Sequence, residues 1–522
     1  MKKWTHLVAP NQVVSLVTAV CIAILIAFTA TAAENAPSIE IARHKDAETM
    51  QLLLARGGDP DARQSDGATA LHWAIYREDV EMVAVLIHGG ASVNLTNRLG
   101  ASPLYLAAKS GNNELISILL KAGANPDLAL KIGETPLMTA ARSGAIKGVE
   151  EIIAAGANVN AIETARGQTA LMWAAAQGHD GVVKALIDGG ADTEIKSVVR
   201  PRLMYTNRSN GTAFDQGVME NLGGYSALLF AARNGHVAVS NLLINAGADI
   251  NGVAANLTSP LVVATHSGHT DLAIELIKKG AEVDAIGAGY NALHAAILRG
   301  DLDVVKALID HGANTNIRLL KPNPIQRASE DWAFKANMVG ATPYWIAASF
   351  REPEIMSMLA IAGADPLMTN EEIWSEPRQR VDREAYTREP IGGFETAVQA
   401  AVKGDSTRDR FYVQANRDPQ AEEKRALKAL ITAADHGVDV NHADLNGATA
   451  LHFAAARNLP SIARELIERH AYINALNDDG KTPLDLAIAN ENNISFFNFN
   501  LTLTSEASAS EVLTELGASR SN

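Results

Sequence analysis

The sequence predicts an all-α repeat solenoid, in which short helix pairs stack side by side and β-hairpins join one pair to the next. The chain has 522 residues, which is too long for one compact hydrophobic core. Aromatic residues make up only 5% of it although 47% is hydrophobic, so the apolar mass is mostly Ala, Leu, Ile and Val. A short motif also recurs, mostly at steps of 32 to 34 residues, and such a period is typical of stacked repeats.

Each copy of the motif begins with Thr, Ser or Asn, followed by Ala or Pro and, in most copies, Leu. The polar side chain suits a helix N-cap, and Pro suits the first helical position because its missing N–H is not needed there. An Ala-rich helix that ends at Gly is predicted to follow. The second residues of the copies are Ala70, Pro103, Pro136, Ala170, Ala227, Pro260, Ala292, Pro343, Ala450 and Pro483, with a weaker copy at Ala397.

A second helix is predicted in each copy, followed by Gly and a short extended piece. Each new copy opens with a Gly, often after Asp or Asn as in Asp66-Gly67 and Asn446-Gly447, and these pairs favour tight turns with positive φ. The apolar residues of the second helix recur at helical spacing, and in one copy they are Leu302, Val305, Leu308 and Ile309.

This pattern, G-x-T-P-L-H-x-A-A followed by G-H or G-D, an apolar helix and G-A-D-V-N, resembles the ankyrin repeat family. The resemblance covers residues from about 40 to 490, and the best-matching copies are Gly133–Asn160 and Gly167–Asp192. It implies about 11–12 helix-turn-helix units with β-hairpin fingers projecting along one side. Helix-only repeats are the rival interpretation, but they lack the Gly-Ala-Asn-Val-Asn hairpin.

The ends of such an array need caps, because a terminal unit has a neighbour on one side only. In a degenerate first unit, Met50, Leu53 and Leu54 are expected to face inward. Ser508 and Glu511 form a capping box before a short helix that we expect to lie over the last repeat. The predicted segments are a capping repeat at 34–66, repeats at 67–195, 223–317, 340–369 and 447–490, a degenerate repeat at 392–446, and a C-terminal cap with a tail at 491–522.

The first 33 residues are predicted to be a signal peptide. Lys2 and Lys3 precede an apolar run, and the small-residue site Ala30-Thr31-Ala32-Ala33 follows it, the order typical of a secretory signal. An uncleaved membrane anchor is the alternative, although the run is short for a span. We therefore expect a periplasmic or secreted protein, with a Gram-negative bacterium as the source.

Composition excludes several kinds of chemistry. Cys21 is the only cysteine and lies in the predicted signal peptide, so the mature chain would have no disulfide, thiolate metal site or cysteine nucleophile. The net charge is −14, and removal of Lys2 and Lys3 would make it more negative. Such a field repels nucleic acids and anionic lipids, so we expect neither as a partner.

Four insertions interrupt the period, at 196–222, 318–339, 370–391 and 405–423. The first three are expected to emerge from finger tips, and the fourth between the two helices of the degenerate unit. They are rich in Arg and aromatic residues, which anchor many protein interfaces. One interpretation is that they only pack over the solenoid. The other is that they form the partner-binding surface, with Arg200, Arg202, Tyr205, Arg208, Phe214, Trp332, Phe334, Trp374, Arg378 and Arg380 as contacts.

The remaining candidates for chemistry have structural explanations. The resemblance implies that His72, His294 and His452 satisfy backbone groups between neighbouring units. His266 and His269 have a spacing that could hold a metal, but they straddle a helix end without a third ligand, so no metal or other cofactor is predicted. Equivalent first-helix positions carry large aromatic side chains that are expected to pack in the core or to line a groove, namely Trp73, Trp173, Phe230 and Phe453.

The sequence therefore predicts a non-enzymatic, monomeric scaffold for a protein partner that it does not identify. Fingers, inner groove and inserted loops would provide the binding surface. The alternative is an enzyme or small-ligand binder whose site is assembled from the insertions, with Glu330, Asp331, Asp382 and Glu384 as the available carboxylates. No known catalytic motif supports that alternative.

Overall fold

The computed structural model describes residues 37–205, 217–321, 334, 338–371, 373–374, 390–404, 419–494 and 507–521. In this part of the chain, 24 helices form twelve pairs, and four short strands form two hairpins. We call the members of each pair the first helix and the second helix. No helix in the described part is long and apolar enough to cross a membrane.

The first six pairs precede and follow the first hairpin. They are α1 Pro37–His44 with α2 Ala47–Ala55, α3 Ala70–Tyr76 with α4 Val80–His88, α5 Pro103–Ser110 with α6 Asn113–Lys121, α7 Pro136–Ser143 with α8 Ile146–Ala154, α9 Ala170–Gln177 with α10 Asp180–Asp188, and, after β1 Arg200–Tyr205 and β2 Gly217–Leu222, α11 Ala227–Asn234 with α12 Val237–Asn245.

The last six pairs include the second hairpin. They are α13 Pro260–Ser267 with α14 Thr270–Lys278, α15 Ala292–Arg299 with α16 Leu302–Asp310, α17 Pro343–Ser349 with α18 Pro353–Ile361, then β3 Ile373–Trp374 and β4 Pro390–Gly392, α19 Ala397–Lys403 with α20 Pro419–Asp435, α21 Ala450–Ala456 with α22 Pro460–Glu468, and α23 Pro483–Ile494 with α24 Ala509–Glu515.

The ends of the first helices follow from local sequence. In α5, the Ser102 hydroxyl accepts a hydrogen bond from the Tyr105 N–H, and Pro103 occupies the first helical position. At the end of α7, Gly144 has φ 78°, and a β-carbon there would lie 3.1 Å from the His179 ring. The predicted turn glycines Gly67 and Gly447 also have positive φ, at 83° and 71°. The predictions for helix starts and turns are therefore confirmed at these positions.

The chain divides into two compact units. Of the residues that the structure describes, those in 37–198 and 238–248 form unit 1, and those in 199–237 and from 249 onward form unit 2. In each unit, successive first helices pack against one another, as α3, α5, α7 and α9 do in unit 1 and α13, α15, α17 and α19 do in unit 2. The motif leucines of unit 1 are at most 1% exposed, and they are Leu71, Leu104, Leu137 and Leu171. Stacking of repeats thus builds the core.

Histidine bridges connect neighbouring repeats. The His72 Nδ1 accepts the Thr69 N–H at 3.2 Å, and its Nε2 lies 3.1 Å from the Ala101 carbonyl of the next repeat. His294 and His452 make the same bridge to Ile317 and Lys481. Because Nδ1 accepts an N–H, the neutral ring must donate from Nε2. The structural role predicted for these histidines is therefore confirmed.

A second bridge comes from an Asp or Asn that most fingers carry. The Asn160 Oδ1 accepts the Asp192 N–H at 2.8 Å, and its Nδ2 donates to the Gly190 carbonyl at 3.1 Å. Asp127 occupies the equivalent position one repeat earlier and accepts the Asn158 N–H at 2.9 Å. A finger with this Asp or Asn thereby satisfies the backbone of the loop that follows the next second helix.

Two details of the second helices differ from the sequence prediction. Leu302 is 43% exposed at the start of α16, and Val304 is buried instead, because the first residue of this helix lies beyond the neighbouring helices. The helix α20 begins at Pro419, so the last five residues of the predicted insertion 405–423 are helical.

The C-terminal helix α24 also differs from the prediction. It contacts both α22 and α23, as the second helix of a repeat does, and Ser519 N–H donates to Asn474 Oδ1 at 2.8 Å. That bond repeats the Asn160 to Asp192 bridge. The helix is therefore the second helix of the last repeat rather than an extra helix lying over it, and its capping box forms as predicted.

We predict that His294 makes the fold sensitive to acid. Burial lowers its pKa from 6.5 to about 4, so the unfolded chain takes up the proton first as the pH falls. The contribution of His294 is complete above pH 6.5 and is lost as the pH falls towards 4, at roughly 1.4 kcal/mol per pH unit. His294→Gln should remove this slope, because Gln399 makes the equivalent bonds without titrating. Thermal unfolding from pH 7 to pH 4 measures the difference, and an unchanged acid slope in the variant would contradict the prediction.

We also predict graded losses at the second bridge. Asn160→Asp keeps the acceptor for the Asp192 N–H but loses the donor to Gly190, whereas Asn160→Ala loses both bonds. Each lost bond should cost roughly 0.5–1.5 kcal/mol. Hydrogen exchange of the Asp192 amide should therefore quicken in the order wild type, Asn160→Asp, Asn160→Ala. Equal exchange in the two variants would show that the acceptor bond contributes nothing.

Candidate protein-binding face

The structure describes only part of the predicted interface. Arg200 and Arg202 lie on β1, where they are exposed, and Arg202 faces Glu220 in the antiparallel register. Tyr205 ends β1 and Trp374 ends β3, and only their backbones are described. The other predicted contacts fall outside the described residues, and so do the four loop carboxylates of the enzyme alternative. These contacts are Arg208, Phe214, Trp332, Arg378 and Arg380.

The prediction is wrong for Phe334. Its side chain is 1% exposed, and its ring centroid lies 5.2 Å from that of Tyr290 and 6.3 Å from that of His294. Leu319 and Met338, near the two ends of the same insertion, are also buried. These three side chains of the insertion 318–339 therefore pack into unit 2, because burying apolar and aromatic surface is favourable.

Aromatic side chains on the first helices pair with cations. The Arg43 guanidinium lies 4.3 Å from the centroid of the Trp73 ring, and Arg142 lies 4.6 Å from that of Trp173. In unit 2, the Lys403 ammonium lies 4.6 Å from the Phe453 ring. These three rings are half-buried. Part of each ring is exposed to solvent, and the paired cation covers part of the ring.

Polar side chains join these pairs to the fingers. The Trp73 indole N–H donates to the Gln64 Oε1 at 3.1 Å, and Arg43 donates to the same oxygen at 3.0 Å. Trp173 donates to Gln168 at 3.0 Å in the same way. Because Gln64 and Gln168 belong to finger tips, the tips and the first helices form one continuous surface in unit 1.

The cations of this surface were missed in the sequence prediction, which treated the aromatic positions by themselves. A basic residue stands in the last turn of several first helices, for example Arg43, Lys109 and Arg142. A cation at this place lies next to the aromatic position of the following repeat. It forms a cation–π pair where an aromatic residue stands there, as Arg43 does with Trp73 and Arg142 with Trp173. Reading the two positions together, one repeat apart, would have revealed the pairs. Phe230, in contrast, is buried at 7% exposure, as a core residue would be.

The finger tips of unit 1 are joined by backbone hydrogen bonds. Arg98 N–H donates to the Asp66 carbonyl at 2.8 Å, and Thr164 N–H donates to the Ile132 carbonyl at 2.9 Å. Between them, Lys131 N–H donates to the Leu99 carbonyl at 3.4 Å. A β-carbon on Gly100 would lie 3.2 Å from the Lys131 nitrogen, so glycine is needed for this approach. The tips thus form a fixed row.

Exposed apolar side chains stand along that row. Leu99 is 72% exposed and Ile132 is 46% exposed at successive tips, and Tyr76 is 71% exposed at the end of α3. We call the tips of unit 1, residues 63–68, 96–101, 129–134 and 162–168, together with its first helices, residues 37–44, 70–77, 103–110, 136–143 and 170–177, the finger face.

The titratable groups with shifted pKa values have structural roles. Burial lowers the pKa of His72, His294 and His452, all of which bridge repeats. Burial also raises the pKa of Tyr105, whose hydroxyl donates to Glu134 at 3.0 Å. His269 lies 2.9 Å from the Arg233 carbonyl. Within the described residues, no group of three or more His, Cys, Asp or Glu side chains could hold a metal ion.

Sequence comparison identifies the family. The profile of ankyrin repeats in three copies matches residues 39–130, 115–197, 209–287, 228–319 and 287–370. A second profile, of ankyrin repeats in many copies, matches residues 433–487. A comparison with curated proteins finds no match to the chain. Since the profiles span most of the sequence and the helix pairs agree with them, the chain belongs to the ankyrin repeat family, whose repeats generally mediate protein–protein interaction.

Proposed function

We propose that the protein is an exported, non-enzymatic scaffold that binds a protein partner through its finger face. The row of hydrogen-bonded tips carries this proposal, because it presents Leu99 and Ile132 to solvent on a backbone that is already fixed. A preorganised surface loses little conformational entropy on binding. Aromatic side chains and Arg are enriched among interface anchors, and Tyr76, Arg98 and Arg166 are exposed on this face.

The first hairpin is a second contact region in this proposal. Arg200, Arg202 and Leu203 are exposed on β1, and Met219 on β2 is 60% exposed. The two Arg side chains and Met219 belong to residue types that are enriched at protein interfaces. Leu319, Phe334 and Met338 of the insertion 318–339 are excluded from the contact region because they are buried.

The proposal excludes catalysis because the histidines with lowered pKa values have a structural role. The buried histidines hold one repeat against the next, and a ring engaged at both nitrogens is not free to act on a substrate. The family assignment agrees with a binding role, although fold by itself does not decide function.

Export is expected to produce a shortened chain. If residues 1–33 are a cleaved signal peptide, the mature protein should begin at Glu34 and should be released with the periplasmic or culture fraction. N-terminal sequencing of the purified protein and cell fractionation provide the measurement. A full-length chain in the cytosol would rule out export, and a full-length chain in the membrane fraction would support the uncleaved anchor.

Binding is expected to depend on the apolar tips. The double variant Leu99→Ser, Ile132→Ser should lose about 1–3 kcal/mol of binding free energy, because two exposed anchors are removed without touching the core. The measurement is cross-linked recovery of partners from the native envelope, followed by titration of the recovered partner. Leu52→Ser is the matched control, since Leu52 is 54% exposed on the second helix α2. Equal losses in the control and the tip variant would contradict the proposed face.

A parallel variant tests the hairpin. The double variant Arg200→Glu, Arg202→Glu should lower the affinity for the same partner by about tenfold if β1 contributes to the interface. Unchanged affinity would restrict the binding surface to the finger face.

A further inference from the structure

The charges of unit 1 are sorted between its two kinds of helix. The second helices α2, α4, α6, α8 and α10 together carry three lysines and seven carboxylates, namely Glu48, Glu81, Glu114, Glu150, Glu151, Asp180 and Asp188. The finger face carries four carboxylates and eight cations, namely Arg43, Arg63, Arg77, Arg98, Lys109, Lys131, Arg142 and Arg166. The net charge of −14 therefore does not extend to this face, which is basic on an acidic protein.

The four carboxylates of the finger face are already engaged. Glu163 is 3% exposed and accepts three backbone N–H groups of its own tip. Glu134 accepts from the Tyr105 hydroxyl and from Arg142. Asp66 accepts the Ala68 N–H at 2.9 Å, and Glu40 pairs with Arg43 at 3.0 Å. They consequently offer little compensation to cations elsewhere on the face.

Three exposed cations stand at successive tips, and they are Arg98, Lys131 and Arg166. The structure records no ion pair for their side chains within its described residues. Leu99 and Ile132 directly follow two of them and are exposed as well. Each of these two tips therefore presents one cation beside one aliphatic side chain, and the third presents Arg166 beside Ala165.

The row of tips sets a spacing. Neighbouring packed helices lie roughly 8–10 Å apart, so cations on successive repeats recur at about that distance. An extended peptide in the polyproline II conformation advances about 3.1 Å per residue and has three residues per turn, so every third side chain lies on the same side, roughly 9 Å further along. A segment in this conformation lying along the row would therefore bring every third residue to a new cation, with apolar residues beside Leu99 and Ile132.

We infer that the finger face of unit 1 binds an extended acidic segment of a protein partner, with a carboxylate at every third position and apolar side chains between them. The inference rests on the proposed function and specifies its partner. It combines charge complementarity, the row of exposed aliphatic side chains, and a backbone fixed by the bonds between tips.

Nucleic acid and anionic lipid fit this face less well. A phosphate backbone has no apolar side chains to cover Leu99 and Ile132. A long polyanion or a membrane surface would also extend past the face into the field of the acidic second helices. A short peptide with acidic and apolar residues would contact the cations of the finger face without reaching the acidic second helices.

The test uses the mature chain and a fluorescein-labelled peptide of about 12 residues that repeats Glu-Leu-Ser, matching a period of three residues. Binding is measured by fluorescence anisotropy. We expect saturable binding that weakens about tenfold or more between roughly 50 and 200 mM salt. The triple variant Arg98→Glu, Lys131→Glu, Arg166→Glu should weaken it by about tenfold or more. The matched control is Lys121→Glu, Lys147→Glu, Lys184→Glu, which changes the net charge equally on the second helices and should retain most of the affinity.

Comparison probes separate the outcomes. A Gln-Leu-Ser peptide of the same length should bind at least about tenfold more weakly than the acidic peptide, since it lacks the charge. Equal binding of that peptide, equal effects of the two triple variants, or tighter binding of oligo-dT or of phosphatidylglycerol vesicles would each overturn the inference. If an envelope partner depends on Leu99 and Ile132 but not on the three tip cations, the proposed function stands and the acidic-segment inference fails.

Discussion

Each repeat leaves its apolar face uncovered until a neighbouring repeat packs against it, and the rest of the structure depends on that constraint. The motif leucines Leu71, Leu104, Leu137 and Leu171 are buried in first helices that pack against one another. Complete burial of such a side chain contributes roughly 1.5–3 kcal/mol, whereas a net hydrogen bond contributes about 0.5–1.5 kcal/mol. Packing therefore dominates stability. The histidine and asparagine bridges set the alignment between repeats, because an unpaired buried polar group would be costly.

The same alignment fixes the outer surface. Once the bridges hold two repeats in place, the tips approach closely enough for Lys131 N–H to reach the Leu99 carbonyl. Residues such as Arg98, Leu99, Lys131 and Ile132 are then free to vary, since only their backbones make the bonds between tips. This freedom lets unit 1 display cations and aliphatic side chains, whereas a tip of unit 2 carries Asp478 and Asp479 on an equivalent bond from Asp478 N–H to the Asn446 carbonyl.

First-helix surfaces are not equally available along the chain. In unit 2, every residue of α17 and every residue from Ala292 to Leu298 in α15 is buried. Phe334 lies against this region through Tyr290 and His294. In unit 1, Trp73 and Trp173 remain half-buried and Tyr76 is exposed. Phe334 of the insertion 318–339 thus adds to the core of unit 2. First-helix surface that is open to a partner is found on the repeats of unit 1.

The sequence by itself determined the features that depend on local chemistry. The N-caps, the positive-φ glycines and the repeat period are readable because they need only the backbone preferences of Thr, Pro and Gly. The bridging role of His72, His294 and His452 was also readable, through the resemblance of the repeats. Only the tertiary structure decided the fate of Phe334, the membership of α24 in the last repeat, and the pairing of Arg142 with Trp173. These features depend on contacts between residues far apart in the chain, or on which side of a helix a neighbour covers, and a period along one sequence does not encode either.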